Sequence, residues 1–288
     1  MFITAADLHM TELKPAYRIE SDWIGVCIGK FKQILDEAKK RNCPIIIAGD
    51  TLDKSIQTPE LINQMMDLID GHEIFIIPGN HCLRNHNIDL LPKTSIYTLR
   101  YAGAEIIEVP STIEIDKIKI DLFPFGSELE FLGGDVAVIH EFSYQVKPWP
   151  DCPSTGNYKS ITRRMKGYRL IIAGDNHEDF QASFEKTSFL NCGSMIRTNR
   201  NEQDRVPKFY VVHDNLEIEA IRFKVEQEVF DLQAISLITR KDEAIEKVAE
   251  QMGSELKLDL DFKKNIQKRI DQGDLEEEII TLIKEIVL

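Results

Sequence analysis

Asp7-Leu8-His9, Gly49-Asp50, Gly79-Asn80-His81 and Gly174-Asp175-Asn176-His177 carry carboxylates, an amide and imidazoles in four short segments, with His140 alone between the last two. Carboxylate and amide oxygens are hard donors and imidazole nitrogens borderline ones, a mixture suited to divalent first-row cations. A pair of such cations activates water and clamps the oxygens of a phosphoryl group during in-line displacement. Asp50, with two oxygens, is the natural bridge between them. Asn80 offers a neutral carbonyl oxygen, and His81 beside it an imidazole of the kind that stabilises charge or donates a proton. His140 and His177 add nitrogen ligands. A Gly-Asp pair after a strand is by itself an ordinary turn. The inference rests on the joint pattern.

Each segment follows a short apolar run that reads as a buried strand: residues 2–3, 44–48, 74–77, 136–139 and 170–173. Strand ends on one sheet edge deliver such side chains to one place. Asp7 and His9, two apart, would point to the same side of a continuing strand, and Gly49 permits a sharp turn. Apolar steps of three and four predict a helix over 20–41, with Lys39, Lys40 and Arg41 at its negative end. A second helix starts with Thr58 as N-cap and Pro59 at the first position, running to about Asp70 and ending at Gly71. Alternation of strand and helix from 2 to 77 implies right-handed crossovers and a largely parallel sheet. Residues 111–125 read as a hairpin about Asp116-Lys117. Strands at 186–190, 208–212 and 216–223 suggest that the second half builds a more antiparallel sheet. The expected architecture is α/β, with two mixed sheets face to face and helices outside. Beyond 223, helical stretches are predicted near 240–252, 261–271 and 274–287, the last with an apolar end at Leu282, Ile283, Ile286, Val287 and Leu288.

Composition sets limits. Hydrophobic residues make up 43% of the 288-residue chain, as in ordinary globular proteins, and no run approaches the ~20 apolar residues of a membrane span. No signal peptide is expected, since no basic region precedes the first strand. Five cysteines, Cys27, Cys43, Cys82, Cys152 and Cys192, lack CxxC spacing, so reduced thiols and a cytoplasmic location are expected. The net charge of −13 argues against nonspecific nucleic-acid binding. Basic residues nevertheless cluster at 158–169 and at Arg197, Arg200, Arg205 and Lys208, and bound cations would add positive charge. The 158–169 segment reads equally as a solvated helix face or a phosphate contact.

The ordered motifs resemble the calcineurin-like metallophosphoesterase superfamily over residues 1–222. That resemblance implies a four-layer αββα sandwich. It implies one metal held by Asp7, His9, Asp50 and His177, a second by Asp50, Asn80, His140 and Asp175, and a bridging hydroxide that attacks phosphorus while His81 assists the leaving oxygen. One departure stands out: Asp175 replaces the family's histidine, a harder ligand that weakens the preference for softer metals. Two divalent ions, Mn²⁺ before Mg²⁺, Fe²⁺ or Zn²⁺, are the expected cofactors.

The segments Gly49-Asp50-Thr51-Leu52-Asp53-Lys54, Gly79 to Arg84 and Asn191 to Arg197 are similar to SbcD-type DNA repair nucleases, above all compact phage members. Cys82 and Cys192 depart from residues common there. This branch implies DNA as substrate, the host cytoplasm as location if the chain is phage-encoded, and a nuclease domain over 1–223. It also implies an SbcC-like coiled-coil ATPase docked through 224–288; that region reads alternatively as a cap or a homodimer contact. Arg84, His86, Arg163, Arg164 and Arg197 are the expected substrate contacts. Competing readings are a phosphomonoesterase, a cyclic-nucleotide phosphodiesterase, and a non-catalytic scaffold.

Overall fold

The computed structural model describes residues 1–16, 18–198, 202–224, 229–231, 233 and 236. The chain divides into two compact units, Met1–Lys14 with Glu20–Gln227, and Pro15–Ile19 with Glu228–Leu288. In the second, Arg18 and Phe230 form an antiparallel bridge, the guanidinium 5.3 Å from the ring centre. The helices predicted beyond 240 and their apolar end lie outside the described residues.

The first unit begins with strand β1 (Phe2–Ala5), helix α1 (Trp23–Arg41), β2 (Ile45–Ala48), α2 (Pro59–Ile69), β3 (Ile74–Ile77), the short α3 (Ser95–Thr98) and β4 (Glu105–Ile106). There follow β5 (Ser111–Ile115), β6 (Ile118–Phe123), β7 (Val136–His140), α4 (Tyr158–Arg164), β8 (Leu170–Gly174), β9 (Phe180–Phe184), β10 (Thr187–Asn191), β11 (Lys208–Val212) and β12 (Ile218–Arg222). Thr58 accepts a hydrogen bond from the Leu61 amide at 3.4 Å, as the predicted cap requires. Asp22 caps α1 through the Gly25 amide, which is why that helix begins at Trp23 and not at residue 20.

Two six-stranded sheets result, ordered β12-β11-β1-β2-β3-β4 and β5-β6-β7-β8-β10-β9. Both are mixed. Contrary to the sequence reading, the second is not the more antiparallel: β6, β7, β8 and β10 run parallel, and only its edges β5 and β9 reverse. The β11–β12 hairpin leaves it altogether and pairs with β1, with Val212 opposite Phe2. Local periodicity reports that a strand exists, not which free edge it joins. The β9 strand was not anticipated.

Alternation along the strands makes the layers. Ile3, Ile45, Ile47, Ile74 and Ile76 face α1 and α2, packing with Phe31, Ile34, Leu61 and Met65. Phe2, Ile46, Ala48, Phe75 and Ile77 face the other sheet, meeting Ile120, Leu122, Val136, Val138, Leu170 and Ile172. Ala137, Ile139, Ile171 and Ala173 turn outward onto α4. Three apolar layers separate four structural ones, helix, sheet, sheet, helix.

Candidate metal centre

Strands β1, β2 and β8 stop just short of Asp7, Asp50 and Asp175, which lie in left-handed turns, whereas His140 is the last residue of β7. Strand β1 ends at Ala5, and Asp7 and His9 have φ of 50° and 43°. Their convergence therefore comes from left-handed turns, not from strand alternation. Asp50 (φ 40°) and Asp175 (φ 86°) share this conformation, which costs a non-glycine residue about 1–3 kcal/mol and persists only where surroundings enforce it. Here a ladder between loops does so. The amides of Asp7, His9 and Met10 donate to the carbonyls of Gly49, Asp50 and Thr51 at 3.2, 2.9 and 3.0 Å. The Asp175 amide donates to both Asp7 carboxylate oxygens, at 3.1 and 2.9 Å.

Three motif glycines leave room beside the His140 ring, although a Cβ on Gly79 would first meet Asp50 Oδ1 at 2.2 Å and one on Gly174 the Ala48 carbonyl at 2.2 Å. A Cβ on Gly49 would stand 1.8 Å from His140 Nδ1, one on Gly79 2.6 Å from Nε2, and one on Gly174 2.8 Å from Nδ1. Within that slot Nδ1 donates to the Ala48 carbonyl at 2.9 Å, which turns Nε2 toward Asn80 Oδ1 (2.9 Å), Asp50 Oδ2 (3.3 Å) and Asp175 Oδ1 (3.9 Å). On the other side of Asp50, His9 Nε2 lies 4.0 Å from Oδ2 and 3.0 Å from His177 Nε2. Asp7, His9 and His177 form one potential ligand group, Asp7, Asp50 and His140 another. Asp50 thus lies between a set that includes His9 and His177 and a set that includes Asn80, His140 and Asp175.

The electrostatics fit cation binding. Burial raises the Asp7 carboxyl to about 6, partly offset by His140 and His9. Burial opposes a charge on His140, yet the hydrogen bond and charge of Asp50, with Asp7 and Asp175, lift it to about 9. The carboxylates around His140 thus favour positive charge at this spot. Burial, His9 and Arg205 press His177 down to about 3. His177 is then a neutral imidazole, and its Nε2 meets His9 Nε2 at a separation that needs a shared proton or cation between two lone pairs. Outer partners fix the rings, as ligating histidines require. His9 Nδ1 lies 3.2 Å from Asp53 Oδ1.

His81 also falls in a potential ligand group, with His9 and Asp50, and is the exposed member of it. Its amide donates to Asp50 Oδ1 at 2.9 Å, its Nδ1 bonds to the Asp53 carbonyl at 2.9 Å, and its side chain is 45% exposed, open to a substrate. His86, also exposed, packs its ring 6.2 Å from Phe125, which lies 6.3 Å from His140. Arg84 is exposed on the same loop. The other expected substrate contacts point elsewhere. Arg163 lies over the Phe184 ring, Arg164 pairs with Glu141, and Arg197 is buried, donating to the Gln203 carbonyl at 2.6 Å.

Sequence reasoning assigned no role to Asp53, although its place three residues after Asp50 was a usable signal. It placed Arg205 only in a basic cluster, whereas its guanidinium donates to Ser194 O, Ser194 Oγ and Ile196 O at 2.7, 2.7 and 2.9 Å. That loop in turn donates to the carbonyls of His177 and Asp7, each at 3.1 Å, so Arg205 braces the backbone beneath the centre. No local pattern marks such an arginine.

A family profile described as calcineurin-like phosphoesterase matches residues 2–179, more than half of the chain. The chain belongs to that family. The phosphoesterase is 28% identical over 130 residues to exonuclease subunit 1 of Enterobacteria phage T4, a match covering 42% of this chain and 38% of the relative's length. A solved structure described as a novel archaeal phosphodiesterase aligns with TM-score 0.44 and 13% identity, over 77% of this chain and 99% of that one. Among the described residues of the phosphoesterase no helix is long and apolar enough to cross a membrane.

The placement of Asp175, facing His140, yields a test. With Oδ1 facing His140 Nε2, Asp175→Ala should lower the affinity for one of two metal equivalents, whereas Asp175→His should keep both and shift preference toward softer ions. Metal titration by calorimetry reads both; unchanged affinity in Asp175→Ala would make the aspartate a turn residue only.

Proposed function

We propose that this phosphoesterase is a dinuclear, Mn²⁺-dependent DNA nuclease of recombination or repair. The observation that carries the reading is Asp50, placed between two donor sets, with His81 beside both and open to solvent. The similarity to a phage exonuclease subunit and the SbcD-like flanking segments support DNA as substrate. Mixed imidazole and carboxylate donors suit Mn²⁺ better than a purely oxygen-bound ion. Bound cations would supply Lewis acidity and an activated water at the phosphorus. Asp7, His9, Asp50 and His177 would hold one ion; Asp50, Asn80, His140 and Asp175 the other.

The remaining work falls to the protein. His81, anchored by its Nδ1 to the Asp53 carbonyl, presents its other nitrogen to the leaving oxygen as proton donor. Its loss removes a transition-state interaction and no ligand, so His81→Ala should bind two metal equivalents yet turn over about a hundred- to ten-thousandfold more slowly. A fall in metal stoichiometry in this variant would make His81 a ligand instead. Cleavage of end-labelled duplex, hairpin and single-stranded DNA, beside aryl phosphate monoesters and cyclic nucleotides, tests the substrate class. Hydrolysis of monoesters or cyclic nucleotides without DNA cleavage would overturn the nuclease reading. The same reading gives residues 224–288 to docking of an SbcC-like ATPase. Deleting 226–288 should leave a metal-binding phosphoesterase that no longer co-purifies with that partner; retained co-purification would place the contact elsewhere.

A further inference from the structure

Between His140 and α4 runs an aromatic loop that the metal centre does not use. Phe142 follows His140 by two residues, so its backbone lies within about 7 Å of that ligand's. Trp149, between Pro148 and Pro150, folds back over it, ring centres 5.6 Å apart and planes 39° from parallel. The loop is firmly built. Tyr144 exchanges backbone bonds with Gly156 and Tyr158 at 3.0 and 3.1 Å, and its hydroxyl donates to the Pro153 carbonyl at 3.0 Å. Lys147 Nζ donates to the Pro150 carbonyl, and the Cys152 amide to that of Trp149 at 3.1 Å. It is also tied to the centre: the Ser143 carbonyl accepts from Asn176 Nδ2 at 2.7 Å, between Asp175 and His177. Yet Trp149 remains 49% exposed and neighbouring Val146 80%.

We propose that Trp149, backed by Phe142, is a stacking platform for an unpaired nucleobase of the strand whose phosphate lies at the metal centre. The proposal rests on the phosphodiesterase reading of that centre and deepens it. Two arguments select a base as occupant. First, the platform is built on the loop that directly follows His140 and is bonded through Ser143 to Asn176, so it adjoins the centre where the scissile phosphate would lie. Second, a chain of net charge −13 gains little from general attraction to phosphates, whereas stacking is indifferent to sequence and needs no positive charge. A rigid aromatic ring loses little entropy on binding, and a duplex offers no free base face, so the platform selects single-stranded ends.

Tryptophan fluorescence reads this directly, because the chain has two tryptophans and the other, Trp23, is 4% exposed in α1. Oligothymidylate titrated into the full chain in EDTA should quench the solvent-exposed emission saturably, and the quench should persist in high salt. An abasic strand of equal length should not quench. Trp149→Ala should weaken oligothymidylate binding about tenfold or more and Trp149→Phe should largely restore it, while Mn²⁺-dependent hydrolysis of a small aryl diester stays unchanged. Equal binding by Trp149→Ala and wild type, or equal quench by the abasic strand, would overturn the platform. So would loss of self-association in Trp149→Ala without any quench, which would mark a face between copies. Quench without DNA cleavage would refute the nuclease reading and leave the platform standing; cleavage without quench would do the reverse.

Discussion

Asp50→Ala is expected to lower turnover of any phosphodiester by on the order of a thousandfold or more while the protein stays folded. Its Oδ2 lies 3.3 Å from His140 Nε2 and 4.0 Å from His9 Nε2, and its Oδ1 accepts the His81 amide at 2.9 Å. One carboxylate therefore connects both donor sets and fixes the loop that carries His81. Metal-dependent stabilisation of a phosphoryl transition state amounts to several kcal/mol, and each 1.4 kcal/mol is about tenfold. The matching measurement is metal stoichiometry beside turnover: fewer than two equivalents and negligible rate are expected. Near wild-type turnover in saturating Mn²⁺ would contradict the bridging role.

The second large effect is expected at Gly49. An alanine there meets two penalties: a left-handed φ of 92° and a Cβ 1.8 Å from His140 Nδ1. The first costs about 1–2 kcal/mol, and overpacking typically adds about 1–3 kcal/mol, together about 2–5 kcal/mol. Gly71 is the control, because its φ is 80° but nothing lies within 4 Å of an added Cβ. Gly71→Ala should lose only the backbone share. Denaturant midpoints of the two variants separate the terms, and only Gly49→Ala should also lose metal affinity, since its Cβ must push His140 out of the slot. Equal destabilisation of both, with metal binding intact, would remove the steric role given to Gly49.

These contrasts show what a one-dimensional reading can and cannot see. Runs such as 44–48 and 170–173 are legible as strands because each is apolar throughout and is followed by glycine, and the hairpin about Asp116-Lys117 because both arms alternate. The partnership of β11 with β1 was not, since pairing across roughly the length of the domain leaves no local trace. At the site the residue types were legible but the mechanism of convergence was not. Strand alternation seemed enough to align Asp7 with His9, yet the sign of φ has no periodic signature, and both residues lie in left-handed turns beyond β1. The glycines were read as turn residues. Their other role, clearing a slot for an imidazole far along the chain, exists only in three dimensions. Asp53 and Arg205 have no assigned role in the sequence because a carboxylate in a turn and an arginine in a basic cluster are both common, and their value lies in the partners that the fold brings them.

One titration tests the dinuclear centre most directly. Protein stripped with EDTA is returned to Mn²⁺ in measured steps while cleavage of an end-labelled DNA strand is followed. Cleavage should be absent without metal, rise with the second equivalent bound per chain, and saturate there. Cleavage that persists in EDTA, or reaches its plateau at a single equivalent, would contradict a two-metal phosphodiesterase bridged by Asp50.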